Sequence, residues 1–230
     1  MSDPPSPVAP APASDTDALP ALAPEPKSGP RVPLGDAFIV ALAFVALLAV
    51  VYGITSFFDL DVARFGVRPR EGWGLIGVLV APLVHGDFGH LAANALPLAM
   101  VGAALIFLYP TCAGIVLATV YLGSGLAVWL FGRSSSHIGA SGLVYGMVAF
   151  VFVSGIIRRD RRALALALLV SFVYGSLVWG VLPIRPGVSW ESHLAGAAIG
   201  AVLAIALKGR DRPPPVVYSW EKEEGDVTPL

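Results

Sequence analysis

Charge is scarce in this sequence. Lys, Arg, Asp and Glu make up 13% of the 230 residues, against about 25% in an ordinary soluble domain. The acids and bases nearly cancel, leaving a net charge of −1. No basic block with interleaved aromatics occurs, so a nucleic-acid partner is not expected. The single cysteine, Cys112, cannot form an internal disulfide, and no Cys/His spacing suggests a zinc site. It reads as a small apolar residue at a helix end. The His-Glu-x-x-His pattern of membrane metalloproteases is also missing.

What is abundant is apolar. Hydrophobic residues make up 56% of the chain and the mean hydropathy is +0.74, which points to a bilayer as the solvent. Crossing about 30 Å of hydrocarbon takes roughly 17 to 25 residues of helix. Six uninterrupted apolar windows meet that length: Ala37 to Phe57, His90 to Leu108, Thr111 to Phe131, Gly139 to Ile157, Ala163 to Leu182, and Glu191 to Leu207. They are too long and too uniformly apolar for barrel strands, so helices are expected. The connection Phe58 to Gly89 contains a shorter apolar piece, Leu75 to Val84, which reads as interfacial or partly embedded.

The ends differ from the middle. The first 33 residues hold ten of the twenty prolines, a composition that cannot bury enough surface to offset chain entropy. Residues 1–34 are read as a disordered tail, 35–208 as the membrane domain and 209–230 as a polar tail. No charged segment precedes a short apolar stretch, so the N-terminal region does not read as a signal peptide. Arg158, Arg159, Arg161 and Arg162 lie in one short connection, and Lys208, Arg210 and Arg212 follow the last window. By the positive-inside rule these face the cytoplasm together with both termini. Arg64, Arg68, Arg70, Arg133 and Arg185 fall on the other side.

That orientation sets depth. Ser141 begins the fourth window, His193 lies at the start of the sixth, and His90 with Asn94 begins the second. All four residues, and all four histidines of the chain (His85, His90, His137 and His193), lie toward the outer face. Ser141 has a bland reading, as a small residue where helices approach closely in lipid. Its sharper reading is a nucleophile, which needs an adjacent base such as an imidazole. Gly196 and Gly200 share a face with His193 in a G-x-x-x-G pattern that permits close approach of a second backbone, and Gly142 and Gly146 offer small residues in return. Tyr145, one turn deeper than Ser141, is placed to pack against the imidazole. His90 and Asn94, one turn apart, are donors suited to a developing oxyanion, and Gly139 and Gly142 clear space around the hydroxyl. No Asp or Glu accompanies Ser141 within a window, and Glu191 points away from His193. A dyad rather than a triad is expected.

Three separated motifs resemble those of the rhomboid intramembrane serine proteases. They are His85-Gly-Asp-Phe-Gly-His90-Leu-Ala-Ala-Asn94, Gly139-Ala140-Ser141-Gly142 with Tyr145, and His193-Leu-Ala-Gly196 with Gly200. The resemblance covers about Ala37 to Leu207. It implies an all-α membrane protein, a six-transmembrane-helix rhomboid-like bundle with a partly membrane-embedded first loop. It further implies Ser141 as nucleophile and His193 as general base. His90, Asn94 and the Ser141 backbone N–H would stabilise the oxyanion, and His85 would anchor a loop. The Trp-Arg pair that some bacterial members carry in the first loop is replaced here by Ile76-Gly77. The implied partners are transmembrane protein substrates within a lipid bilayer, in a bacterial plasma membrane, with no metal or organic cofactor. The alternative within the family is a catalytically inactive client-binding protein, which typically lacks the serine or the histidine. A transporter would want intramembrane acids or broken helices in repeated halves.

Overall fold

A computed structural model of the protein describes residues 31–173 and 179–211. Most of the expected N-terminal tail, part of the fifth expected span and most of the polar C-terminal tail lie outside the described residues. Seven helices are present among them: α1 (Leu34–Phe57), α2 (Gly74–Val80), α3 (Phe88–Leu108), α4 (Pro110–Phe131), α5 (Ser141–Arg158), α6 (Arg161–Val173) and α7 (Trp190–Ala206). Two 3₁₀ turns, Val62–Phe65 and Ala81–Leu83, lie in the first loop. The described residues contain no strand, only an isolated antiparallel bridge between Val67 and His137.

Four of these helices, α1, α3, α4 and α5, are long and apolar enough to cross a membrane. The sequence suggests six. Helix α7 has 17 residues, about 25 Å at 1.5 Å per residue, and is shorter than these four. The fifth window is described only in part, as α6, which opens on Arg161 and Arg162. The fourth window also begins later than its apolar run, because Gly139 has φ +98° and the helix starts only at Ser141.

Burial follows the logic of a chain in lipid. Ile39, Val40, Val50 and Ile54 of α1 stand exposed, while Asn94, Ser124, Ser154 and His193 are buried among the helices. Helix α5 is central and touches α3, α4, α6 and α7. Lipid supplies no hydrophobic force between helices, so close packing of small residues holds them together. A side chain at Gly196 would overlap the Gly142 carbonyl, and one at Gly200 the Gly146 carbonyl. Any side chain larger than hydrogen is thus excluded at these two positions of the α5–α7 seam.

At the end of the bundle away from Ser141, polar groups fasten the helix termini. The Arg158 guanidinium lies 4.5 Å over the Tyr109 ring and donates to the Leu207 carbonyl at 2.9 Å. Asp211 accepts from the Thr111 and Cys112 amides at 3.1 and 3.0 Å, which helps to cap the first turn of α4.

The first loop is fastened mostly by side chains reaching backbone carbonyls. Arg70 donates to the carbonyl of Gly132 at 2.9 Å, Trp129 to that of Glu71 at 2.8 Å, and Tyr121 to that of Leu79 at 2.6 Å. Most of the apolar piece expected to be interfacial forms α2 and the following 3₁₀ turn, packed on α4 through Val78 and Val128. Ile76 is exposed, and Gly77 is pressed against the Gly66 backbone. His85, at the end of this loop, is 1% exposed. Neither ring nitrogen makes a hydrogen bond of good geometry, although the nearby Leu83 carbonyl weakly favours a proton. Any anchoring by His85 is therefore through packing.

Two predictions follow from this packing. Gly196→Ala should destabilise the protein by about 1–3 kcal/mol, the usual cost of overpacking. Gly114→Ala, where a Cβ would meet nothing within 4 Å, should cost nothing in the same thermal-unfolding assay; equal losses would contradict a tight seam. Burial, reinforced by His90, holds the His85 imidazole down to about 4 from 6.5. The unfolded chain takes that proton below pH 6.5 and the folded one does not. Stability should therefore be full above pH 6.5 and fall between 6.5 and 4, by up to about 3 kcal/mol. His85→Phe should remove this part of the acid sensitivity.

Candidate active site

Local chain geometry brings a hydroxyl to a helix start. The Gly139 amide donates to the Ala81 carbonyl at 2.8 Å, and its positive φ turns the chain so that Ser141 becomes the first residue of α5. The residue before it, Ala140, offers no side-chain cap. The first-turn amides of α5 therefore have no intrahelical acceptor, and the hydroxyl stands at the positive end of the helix dipole.

His193 meets it from α7. Its Nε2 lies 2.8 Å from Ser141 Oγ and its Nδ1 lies 2.8 Å from the Gly180 carbonyl oxygen. A carbonyl can only accept, so Nδ1 carries the proton. Nε2 then presents its lone pair to the serine hydroxyl, which donates. This is the tautomer a general base requires. The Tyr145 ring stacks on the imidazole at 4.1 Å between centroids and 9° between planes, which fixes the ring plane. Gly180 leaves this arrangement its space, since a Cβ there would overlap the Tyr145 hydroxyl and come within 3.0 Å of His193 Nδ1.

Acidic groups stand apart from the pair. Glu191 lies 3.6 Å from Arg133 as an ion pair and also accepts from the Arg133 amide at 3.3 Å. The position that an aspartate fills in a Ser-His-Asp triad is taken here by the Gly180 carbonyl.

His90 reaches the site through the start of α3. Asp87 caps that helix by accepting from the His90 amide at 2.8 Å, which sets His90 in the first turn. The His90 ring stands against Gly139, where a side chain would overlap it, and makes an edge-on contact with His85 at 5.0 Å. Asn94 is 3% exposed and donates to the His90 carbonyl at 3.0 Å. Its own helix therefore uses one of its two amide protons. Gly142 and Gly196 form the seam beneath the pair, with Gly146 and Gly200 one turn deeper.

Several neighbours carry no sequence signal for this role. A cavity of about 20 Å³, room for one water, adjoins Gly139 and Gly142 and is lined also by Ser124, His137 and Ser192. Ser124 and Ser192 look like ordinary small residues in an apolar sequence. Gly180 contributes a carbonyl, which every residue type carries. Ser189, four residues before His193, could have been read as a helix cap but not as a partner of His137.

Uncharacterised proteins of Mycobacterium bovis and Mycobacterium tuberculosis are 38% identical over 197 residues, 80% of this chain and 79% of theirs. An uncharacterised Mycobacterium leprae protein is 34% identical over 183 residues, 76% of this chain and 72% of its own. An Arabidopsis thaliana protein named RHOMBOID-like protein 4 is 32% identical over 169 residues, 70% of this chain but 39% of that protein. The family pattern described as Rhomboid domain matches residues 69–210. The chain, with its apolar helices, is a member of the rhomboid family.

Proposed function

We propose that this chain is an intramembrane serine endopeptidase that cuts peptide bonds in or near the transmembrane segments of other membrane proteins. The observation that carries the reading is the 2.8 Å contact between Ser141 Oγ and His193 Nε2, with Nδ1 engaged by the Gly180 carbonyl. Ser141 Oγ attacks the scissile carbonyl carbon while its proton passes to His193 Nε2. The imidazolium so formed keeps its Nδ1–H on the Gly180 carbonyl. The oxyanion is met by the Ser141 backbone N–H at the start of α5, by the His90 ring and by the remaining Asn94 amide proton. Collapse breaks the C–N bond, and His193 returns its proton to the leaving amine. Water then attacks the acyl-enzyme by the same route in reverse.

Substrate class follows from where this site sits. A helical peptide bond has its carbonyl engaged and must unwind before attack, so segments with small or helix-weakening residues near the cut are favoured. Helices α3, α4, α5 and α7 with a completed α6 and α1 make the six-span bundle of this reading. Its termini face the cytoplasm of a bacterium, and water reaches Ser141 from the outer face of the plasma membrane.

The test is reconstitution in vesicles with a transmembrane substrate. Ser141→Ala and His193→Ala should each lower cleavage by at least about 10³-fold while thermal unfolding stays near wild type. His90→Ala should cost about 10²- to 10³-fold as a lost oxyanion donor. A fluorophosphonate should label wild type and not Ser141→Ala. Absence of labelling in folded wild type would overturn the protease reading in favour of an inactive client-binding member.

A further inference from the structure

A second histidine–serine contact lies directly above the first. His137 Nδ1 is 2.6 Å from Ser189 Oγ, and both residues stand four positions before the members of the lower pair, Ser141 and His193. On each chain segment the types are exchanged, histidine before serine on one and serine before histidine on the other. The two contacts therefore form rungs between the same two segments, at the same register. The α7 side of that spacing is about one helical turn.

Both ring nitrogens of the upper imidazole are engaged. Its Nε2 lies 3.1 Å from the Arg133 carbonyl, so Nε2 donates there and Nδ1 accepts from the Ser189 hydroxyl. Its backbone exchanges two hydrogen bonds with Val67 of the first loop, at 2.9 and 3.0 Å. His137 is 5% exposed. One residue thus ties the first loop, the α4–α5 connection and the start of α7.

Ser189 shows what the contact displaces. It is the residue before α7, where serine ordinarily caps the first-turn amides with its own oxygen. Its hydroxyl makes no such cap and points to His137 instead. A local rule is set aside for a contact between segments, as happens where a site constrains the chain. Beside this rung Arg133 donates to the Val188 carbonyl at 2.6 Å and pairs with Glu191 at 3.6 Å. Glu191 is nearly buried in that pair, while Arg133 is partly exposed.

We infer that the His137–Ser189 contact is a positioning rung that holds the start of α7 at the distance from the Ser141 turn required by the Ser141–His193 contact. His137 and Ser189 touch no reacting atom; they act through the placement of His193. The inference rests on the protease reading above for its kinetic consequence, but the rung itself is a structural claim about His193. Misplacement of a reacting group by about 1 Å can cost about 10²-fold in rate.

The experiment uses the full chain in vesicles with His137→Ala, Ser189→Ala, the double variant and His137→Asn. Each single alanine variant should lower kcat, and the rate at which a fluorophosphonate labels Ser141, by about 10-fold or more, with KM little changed. The double variant should be no slower than the singles, because both remove one contact. His137→Asn should recover most of the rate, since its Oδ1 stands near the position of Nδ1 and still accepts from Ser189. Additive losses, a change confined to KM, or no recovery with asparagine would overturn the inference. If folded wild type neither cleaves nor labels, the protease reading fails on its own. The rung is then read from nitrogen NMR of histidine-labelled protein. Ser189→Ala should shift the His193 ring nitrogens, and Leu168→Ala, on an exposed part of α6, should not. An unmoved His193 in Ser189→Ala would overturn the rung whatever the activity.

Discussion

Two contacts of glycine on carbonyl, Gly196 on Gly142 and Gly200 on Gly146, set how near α7 lies to α5. The rest of the structure depends on that distance. A lipid solvent offers no hydrophobic gain for burying one apolar helix against another, so association relies on packing and polar contacts. A methyl group in the seam would overlap a carbonyl oxygen and press α7 outward, by about 1 Å before an ordinary contact is restored. The serine and the imidazole, carried on separate helices, would then be near one another without touching. The stacking of Tyr145 on His193 uses the same closeness, because one ring stands on α5 and the other on α7.

The far end of the bundle is fixed by different chemistry. There Arg158 crosses from the end of α5 to the Leu207 carbonyl, and Asp211 returns to the start of α4. Charge-assisted bonds of this kind are stronger than neutral ones. Helices α5 and α7 are therefore tied near both ends, by polar groups far from the site and by the two His–Ser rungs near it, with the glycine seam between. The first loop joins this frame at the site end, through Val67 on His137, Ala81 on Gly139 and the Ser136 hydroxyl on the Ala63 carbonyl. Its hydrogen bonds stabilise the turn that presents Ser141 as much as they stabilise the loop.

Much of this was legible in the order of residues, and the parts that were not share a cause. Long apolar windows announce helices, since only a helix satisfies its backbone in lipid. Four of the six, Ala37 to Phe57, His90 to Leu108, Thr111 to Phe131 and Gly139 to Ile157, are present nearly at their expected limits. Glycines at i and i+4 on two windows announce a close approach, because the missing side chain is itself the signal. The start of α5 shifted to Ser141 because the positive φ of Gly139 is a property of the turn, not of the apolar run. The loop contacts of Arg70, Trp129 and Tyr121 were not legible at all. Each pairs a side chain with a carbonyl some 40 to 60 positions away, and a carbonyl has no letter in the sequence.

Gly180 gives that last point a wider meaning. Where a carboxylate orients a histidine, the orienting group is a residue identity, and it leaves a trace that any comparison of relatives can detect. Here the orienting atom belongs to the main chain, so the third partner is encoded as a path of the backbone rather than as a chemical type. A search for an invariant acid would pass over it. The trace that remains is indirect: a place beside the imidazole where the chain has no room for a side chain, filled by the one residue that brings none.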